Sequence, residues 1–218
     1  MQRFQSYKFR LNATSDQQLQ MWRTAGCCRF VFNRALALQN QRLEEGRKLM
    51  GSEELSLLLA EWRRHPDCLW LAGAPFGTQQ QALRNLVQAF ARHASQLTRR
   101  PKFKERGRLD SFRCAATKDI KLDQTNSRIL LPKLGWVRYR NSRAVMGSIM
   151  NVTVSASAGE WYISLLTLRS VAEFECEVCG FKENADLVGA MNVLRAGHAR
   201  LACAETSLGL RGDGARTH

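Results

Sequence analysis

The segment YKFRL, Tyr7 to Leu11, alternates apolar and basic residues along the chain. Tyr7, Phe9 and Leu11 fall on one side of an extended backbone, and Lys8 and Arg10 fall on the other. A period of two is typical of a strand with one buried face. The sequence therefore predicts a half-buried strand here, with a basic outer face.

The residues after this strand have the spacing of helices. Ser15 and Gln18 predict a capping box, and Gly26 predicts a break within the helical region. Beyond Gly26 one side of the predicted helix is formed by Phe32, Ala35, Leu36 and Gln39. Arg29 and Asn33 share another face, one turn apart.

Two further helices are predicted downstream. One runs from Ser52 to about Arg64 and is ended by Pro66, and its buried stripe consists of Leu55, Leu58, Leu59 and Trp62. The other begins at a capping box of Thr78 and Gln81 and continues through Thr98, with a stripe of Leu83, Leu86, Val87, Phe90 and Leu97. Facing stripes imply a small bundle, whose exposed bases are Arg84, Arg92, His93, Arg99 and Arg100.

From Arg99 to Arg143 the chain holds 14 Lys or Arg residues against four acidic residues. Short apolar pairs separated by turn residues predict successive strands in and after this segment. They are Ile120 with Leu122, Ile129 with Leu131, Trp136 with Val137, Val152 with Val154, and Trp161 with Ile163 and Leu165. Closely spaced strands of this kind predict an antiparallel sheet or a small barrel with a basic surface.

Composition indicates a polyanionic partner. The 218 residues carry a formal charge of +14, and a surface this basic attracts phosphates, although the same charge could serve only to keep a protein in solution. No apolar run of about 18 residues is present, and the N-terminus lacks the apolar segment of a secretory signal. We therefore expect a cytoplasmic, nucleoid-associated protein without a membrane partner, whose seven cysteines are reduced thiols.

Residues 174–198, FECEVCGFKENADLVGAMNVLRAGH, combine a C-x-x-C pair with an acidic residue that opens a helical pattern. Cys176 and Cys179 have the spacing that brings two thiolates to one metal ion, but structural zinc takes four ligands and the chain has no second such pair. Asp186 resembles one carboxylate of a metal-dependent nuclease site, which needs several.

Five stretches together resemble the insertion-sequence OrfB/TnpB family of RNA-guided nucleases. They are YKFRL at residues 7–11, GCCRFVFNRAL at 26–36, PKFKERGRLDSFR at 101–113, RILLPKLGWVRYR at 128–140 and CEVCGFKENADLVGAMNVLRAGH at 176–198. They follow one another in the order of the family and span most of the chain.

The resemblance implies an α+β protein in which a helical recognition bundle is inserted in a wedge-like antiparallel β-barrel. A vestigial RuvC and zinc-ribbon segment would follow. The implied parts are a first barrel strand at 1–14, the bundle at 15–100, the rest of the basic barrel at 101–169, the remnant at 170–203 and a disordered tail at 204–218.

The family holds a guide RNA and its DNA target on basic surfaces, so base pairing supplies the specificity. The resemblance thus implies guide RNA as the cofactor, and RNA and DNA as partners. The nucleic-acid contacts it implies are Lys8, Arg10, Arg29, Asn33, Lys102, Lys104, Arg113, Arg138 and Arg140. For any one of these residues, a solvated surface position or a polar capping role is an alternative.

The family pattern also requires residues that this chain lacks. Between Leu165 and Phe174 there is no room for the first catalytic Asp, the Glu and the first C-x-x-C pair of the family, so only Asp186 matches its acidic set. Two-metal cleavage needs several carboxylates to hold two cations. We therefore expect Asp186 to be a vestigial catalytic residue, insufficient alone, whose alternative role is to cap the following helix.

The Cys176 and Cys179 pair is half of a zinc site. Full coordination would require recruitment of His198 or Cys203, or of a second protomer, and otherwise the pair is a reduced hairpin with little or no zinc. The remaining upstream cysteines are expected to be small buried apolar residues: Cys27, Cys28, Cys68 and Cys114.

Three functions remain open from the sequence. The first is a nuclease-deficient member of the family that binds guide RNA and occupies DNA without cutting it. The second is a residual magnesium-dependent endonuclease completed by a homodimer or by a full-length relative. The third is a remnant of a mobile element, without function.

Overall fold

The computed structural model describes residues 2–114, 117–170, 173–175, 182–184 and 187–194. Residues 4–168 form one compact unit. A second unit includes residues 1–3 and 169–218, and its described part contains a small hairpin and a helix.

The large unit contains three α-helices and most of the strands of an antiparallel sheet. The helices are α1 (Ser15–Glu44), α2 (Ser52–Arg64) and α3 (Phe76–Ala94), and 3₁₀ helices span Pro66–Gly73 and Thr117–Asp119. The strands are β1 (Gln2–Asn12), β2 (Ser111–Cys114), β3 (Lys121–Asp123), β4 (Arg128–Leu131), β5 (Gly135–Tyr139), β6 (Ser148–Ser157) and β7 (Glu160–Ser170).

The seven strands form one sheet in the order β2-β6-β7-β1-β5-β4-β3. The first strand of the chain therefore lies in the middle of the sheet, between β7 and β5. Its register with β5 pairs Leu11 with Tyr139 and Asn12 with Arg138. Helices beside one antiparallel sheet make the protein α+β, as predicted. Closure of the sheet into a wedge-like barrel stays a prediction, as do the domain boundaries at residues 14, 100 and 169.

The alternation predicted for residues 7–11 is confirmed. Tyr7, Phe9 and Leu11 are almost fully buried, while Lys8 and Arg10 are exposed. The predicted strand segments between Ile120 and Leu165 are also confirmed. Between β6 and β7 the reversal is made by Ala158 and Gly159, both with positive φ, which is the backbone of a type I′ hairpin turn.

Helix α1 lies between two hydrophobic cores. Met21, Ala25 and Cys28 pack with the inner side chains of the sheet. The other side of the helix packs on α2, α3 and the 3₁₀ helix, through Cys27, Val31, Phe32, Ala35 and Leu36. Because both cores include side chains of this 30-residue helix, α1 connects the sheet to the bundle.

Three local predictions are corrected. Helix α1 runs through Gly26 without a break, because its neighbours Ala25 and Cys27 are anchored in the two cores and outweigh the roughly 1 kcal/mol cost of a helical glycine. The capping box is formed by Thr14 and Gln17, one residue earlier than predicted.

The third correction concerns α3. It begins at Phe76, so Thr78 lies inside the first turn and its hydroxyl donates to Pro75 O at 2.7 Å. It ends at Ala94, and Leu97, placed in the buried stripe by the sequence, is 75% exposed. The turn at Ser95 and Gln96, where φ is +56°, ends the helix before Leu97.

In the second unit, strands β8 (Glu173–Glu175) and β9 (Lys182–Asn184) pair antiparallel, and a helix spans residues 187–194. Cys176 and Cys179 fall between the two strands in sequence, and they lie outside the described residues, as do Asp186, His198, Cys203 and the tail. The predictions made for these residues stay predictions. Of the helices that the structure describes, none has the length and apolarity required to cross a membrane.

Candidate nucleic-acid interface

Basic side chains from the two central strands of the sheet share the surface opposite the core. Lys8 and Arg10 on β1, and Arg138 on β5, alternate with buried neighbours and are exposed, and Arg140 follows directly after β5. The strands hold these residues side by side, since Asn12 pairs with Arg138 and Arg140 N donates to Arg10 O at 2.9 Å. We call this surface the outer face of the sheet.

Two aromatic side chains lie on the outer face among these basic side chains. Lys8 Nζ lies 4.8 Å from the centroid of the Tyr162 ring, and the Arg128 guanidinium lies 4.7 Å from that of Trp136. Trp136 is exposed and belongs to the same strand as Arg138. Cations and aromatic faces side by side suit a strand of nucleic acid, whose phosphates and bases need these two kinds of partner.

Acidic side chains neutralise only part of the outer face. Glu160 pairs with Arg10 at 2.7 Å, and Asp123 pairs with Arg128 at 2.8 Å. Among the residues that the structure describes, Lys8, Arg138 and Arg140 have no acidic partner. These three cations are therefore the ones available to an incoming phosphate.

Arg29 and Asn33, predicted as nucleic-acid contacts, both bind the loop that precedes β2. Arg29 Nη1 donates to the carboxylate of Asp110, and the two side chains are 22% and 3% exposed. Asn33 Nδ2 donates to Lys104 O at 2.9 Å, and Lys104 N donates to Asn33 Oδ1 at 2.8 Å. Both side chains have structural partners, and these bonds fix the loop on α1.

The loop between α3 and β2, residues 95–110, is the second segment rich in basic residues, and we call it the basic loop. Its exposed cations are Arg99, Arg100, Lys102, Lys104, Arg106 and Arg108. Together with Asn40 it borders an open groove of about 950 Å³ that also includes the exposed ring of Phe103. Lys102, predicted as a contact, is therefore part of this groove.

Lys104 and Arg113 line a smaller cavity of about 230 Å³ on the other side of the loop, between α3 and β2. The Lys104 ammonium lies 4.4 Å from the centroid of the Phe32 ring, and burial lowers the pKa of this lysine. The Nε of Arg113 is buried, and the structure gives it no hydrogen-bond partner. The two residues thus line one cavity, but Lys104 is an exposed residue that also borders the groove, whereas Arg113 is half-buried.

The nine predicted contacts therefore separate by environment. Lys8, Arg138, Arg140, Lys102 and Lys104 are exposed cations, and Arg10 is exposed and paired. The other three, Arg29, Asn33 and Arg113, are half-buried in structural contacts or a cavity. The sequence reasoning did not assign the aromatic members of the surfaces, Trp136, Tyr162 and Phe103. A signal was available for Phe103, which stands between Lys102 and Lys104, and for Trp136, two residues before Arg138, whereas Tyr162 has no basic neighbour in sequence.

No group of three or more His, Cys, Asp or Glu side chains able to hold a metal ion is found within the described part of the chain. The predicted metal ligands, Cys176 and Cys179, and the predicted catalytic residue Asp186 lie outside that part. In sequence, two thiolates supply half of the donor set of structural zinc, so these residues alone do not fit that ion.

Comparison with known proteins gives consistent matches. Residues 1–48 match the family HTH_OrfB_IS605, described as a helix-turn-helix domain. In this structure the matched segment contains β1 and α1, a strand followed by one uninterrupted helix.

The chain is similar to "Putative RNA-guided DNA endonuclease InsQ" of Escherichia coli (strain K12), with 46% identity over 172 residues. This alignment covers 79% of the chain and 42% of the relative. It is also similar to "Putative RNA-guided DNA endonuclease" of Streptomyces pristinaespiralis, with 28% identity over 165 residues. This alignment covers 74% of the chain and 40% of the relative. The chain thus spans about two fifths of the length of the curated relatives it matches. These matches, and the five sequence stretches in family order, show that the chain belongs to the insertion-sequence OrfB/TnpB family.

Proposed function

We propose that this OrfB/TnpB chain binds guide RNA and, through it, a DNA target, and that it occupies the target without cutting it. The observation that carries the proposal is the outer face of the sheet. There Lys8, Arg138 and Arg140, which have no acidic partner in the part of the chain that the structure describes, lie on adjacent strands beside Trp136 and Tyr162.

The spacing of these cations suits a nucleic-acid backbone. Adjacent strands are about 5 Å apart, and neighbouring phosphates along one strand of a duplex are separated by a few ångströms, so cations on two neighbouring strands can contact successive phosphates. Such contacts hold a backbone without reading its bases. A protein with this surface therefore needs base pairing to a guide for specificity, which agrees with the RNA-guided activity named for its relatives.

The basic loop would extend this surface on the large unit. Asn33 and Arg29 fix the loop on α1, so its exposed cations are held by a rigid helix. A fixed loop loses less conformational entropy when it binds a ligand than a mobile loop does. The loop is therefore a suitable second contact for the same RNA or for its duplex with DNA.

The absence of cleavage is part of the proposal and rests on the sequence. Asp186 is the one residue that matches the acidic set of the family, and one carboxylate cannot position two divalent cations. A second function is favoured by the names of the relatives: a residual endonuclease that obtains its missing carboxylates from a second protomer or a longer relative. It would need magnesium.

The test uses the 218-residue chain expressed in its host and cross-linked to RNA before purification. A discrete RNA species, enriched over total RNA and retained in high salt, is the expected result. Recovery of bulk ribosomal RNA alone would overturn guide binding. The recovered RNA is then incubated with the protein, a matching DNA and magnesium. Cleavage that is lost in Asp186→Ala would establish the residual endonuclease instead.

A further inference from the structure

Trp70 is a large aromatic side chain that the outer face and the basic loop do not include. It belongs to the 3₁₀ helix Pro66–Gly73 and is 49% exposed. Its indole Nε1 donates to Asp67 O at 3.1 Å, and its ring meets that of Phe30 edge to face at 4.9 Å. The ring is therefore held in one orientation with its hydrogen-bonding group satisfied, while half of its surface contacts solvent.

Two open grooves, of about 490 and 440 Å³, meet at Trp70 and share Gly26 of α1 as a lining residue. A Cβ built on Gly26 would have one neighbour within 4 Å, Arg29 Nη2 at 3.9 Å. The position is thus open, although a glycine inside a helix costs about 1 kcal/mol relative to alanine. The absence of a side chain at Gly26 leaves the space beside Trp70 free.

The charge of the grooves is positive. Arg29 and Arg34 line one groove and Arg23 lines the other, and neither described lining includes an acidic side chain. Arg29 is neutralised by Asp110, and Arg34 lies over Phe30 and Trp62 at 5.9 and 5.0 Å from the ring centroids. Arg23 is exposed and has no acidic partner among the described residues.

An exposed indole between cations fits one class of ligand better than others. Stacking on an aromatic ring needs a flat π-face, and the arginines need an anion close to it. An unpaired nucleotide has both, whereas the bases of a duplex are already stacked on one another. An apolar peptide would leave the arginines without partners.

We propose that Trp70 stacks with an unpaired base of the bound nucleic acid, and that Arg23 and Arg34 contact the adjoining phosphates. This inference rests on the proposed function, because it assigns a further contact to the same ligand. Gly26 serves the site by leaving room for the base beside the indole.

The test measures binding of a single-stranded RNA of about 20 nucleotides, and of the same sequence in a duplex, by fluorescence anisotropy. Trp70→Leu keeps an apolar side chain and removes the π-face, whereas Trp70→Phe keeps a smaller π-face. Gly26→Leu fills the groove, and its matched control Gly26→Ala adds only a Cβ. All four variants are first compared with the parent protein by urea unfolding.

We expect Trp70→Leu and Gly26→Leu to weaken single-strand binding by about 5- to 150-fold, the range for loss of one stacked base. Trp70→Phe and Gly26→Ala should stay within about 3-fold of the parent protein, and duplex binding should change little in any variant. Equal affinity of Trp70→Leu and parent for the single strand would overturn the inference and leave the proposed function intact. An equal loss on single strand and duplex would also overturn it. Failure of the parent protein to bind either probe would overturn both.

Discussion

The side chain of Asn33 on α1 binds the main chain of Lys104 through both of its amide atoms, although 71 residues separate the two in sequence. Nδ2 donates to Lys104 O at 2.9 Å, and Oδ1 accepts from Lys104 N at 2.8 Å. This paired contact satisfies both main-chain polar atoms of Lys104 with one donor and one acceptor of the same side-chain amide. Asn33 therefore helps to hold the basic loop on α1, and its role as a nucleic-acid contact stays a prediction.

Replacement of Asn33 by Ala should therefore act on stability. Two hydrogen bonds to Lys104 are lost, and we expect the free energy of unfolding to fall by about 1–3 kcal/mol. Urea unfolding followed by circular dichroism measures this change. If Asn33→Ala unfolds like the parent protein and yet loses most of its nucleic-acid affinity, then Asn33 is a direct contact and the structural role is wrong.

The ion pair of Arg29 and Asp110 predicts that removing one partner destabilises the fold more than replacing both. Asp110 is almost fully buried, and its Oδ2 also accepts from Gly107 N at 2.7 Å. Arg29→Ala leaves this carboxylate without its cation and should cost about 3 kcal/mol. Replacing both residues with apolar side chains of similar size, Arg29→Met with Asp110→Leu, should cost less than Arg29→Ala alone.

Urea unfolding of Arg29→Met, of Asp110→Leu and of the double variant forms a complete cycle for this pair. Additive effects of the two changes, with no coupling between them, would show that the ion pair does not fix the end of the basic loop.

Two buried thiols should be inert in the folded protein. Burial raises the pKa of both Cys28 and Cys114 to about 12. At pH 8 roughly one thiol in ten thousand is then ionised, so alkylation should be slow. Mass spectrometry of the two peptides after iodoacetamide treatment should show little modification in buffer and complete modification in urea. Rapid modification of either thiol in buffer would show that the core between α1 and the sheet opens.

The turn between β3 and β4 predicts a dependence of stability on pH. Hydrogen bonds from Asn126 and Arg128 lower the pKa of Asp123 to about 2. Since this value is below the ordinary pKa of about 4, the ionised form stabilises the fold above pH 4, and the contribution is lost as the pH falls to 2. The difference in unfolding free energy between the parent protein and Asp123→Asn should therefore shrink from pH 5 to pH 2. Curves that stay parallel over this interval would contradict the role of Asp123.

The strongest periodic patterns of the sequence predicted their elements correctly. The alternation at Tyr7 to Leu11 is confirmed, and α2 begins and ends at the predicted residues because its apolar stripe and Pro66 leave little choice. The first residue of α1 could not be placed in the same way, since Thr14 with Gln17 and Ser15 with Gln18 both fit the capping-box pattern. The geometry of the first turn selects the earlier pair.

The partners of polar side chains could not be predicted from local sequence. Arg29 and Asn33 were correctly placed on a common helix face, but the basic loop that they hold follows 71 to 81 residues later. The strand β2, with Phe112 buried, was also missed, because its four residues are too few for a clear period. In the sheet, by contrast, the exposure of Lys8, Arg138 and Arg140 follows directly from strand alternation.

The most direct test of the proposed function is the salt dependence of RNA binding. The variant carries Lys8→Ala, Arg138→Ala and Arg140→Ala, and its charge-matched control carries Arg64→Ala, Arg84→Ala and Arg92→Ala on exposed positions of α2 and α3. Each lost phosphate contact reduces the slope of log K against log salt by about 0.7 to 0.9. We expect the slope of the outer-face variant to fall by about 2, with a matching loss of affinity, and the control to keep the slope of the parent protein. An unchanged slope in the outer-face variant, or an equal fall in the control, would contradict the assignment of the outer face as the site that binds nucleic acid.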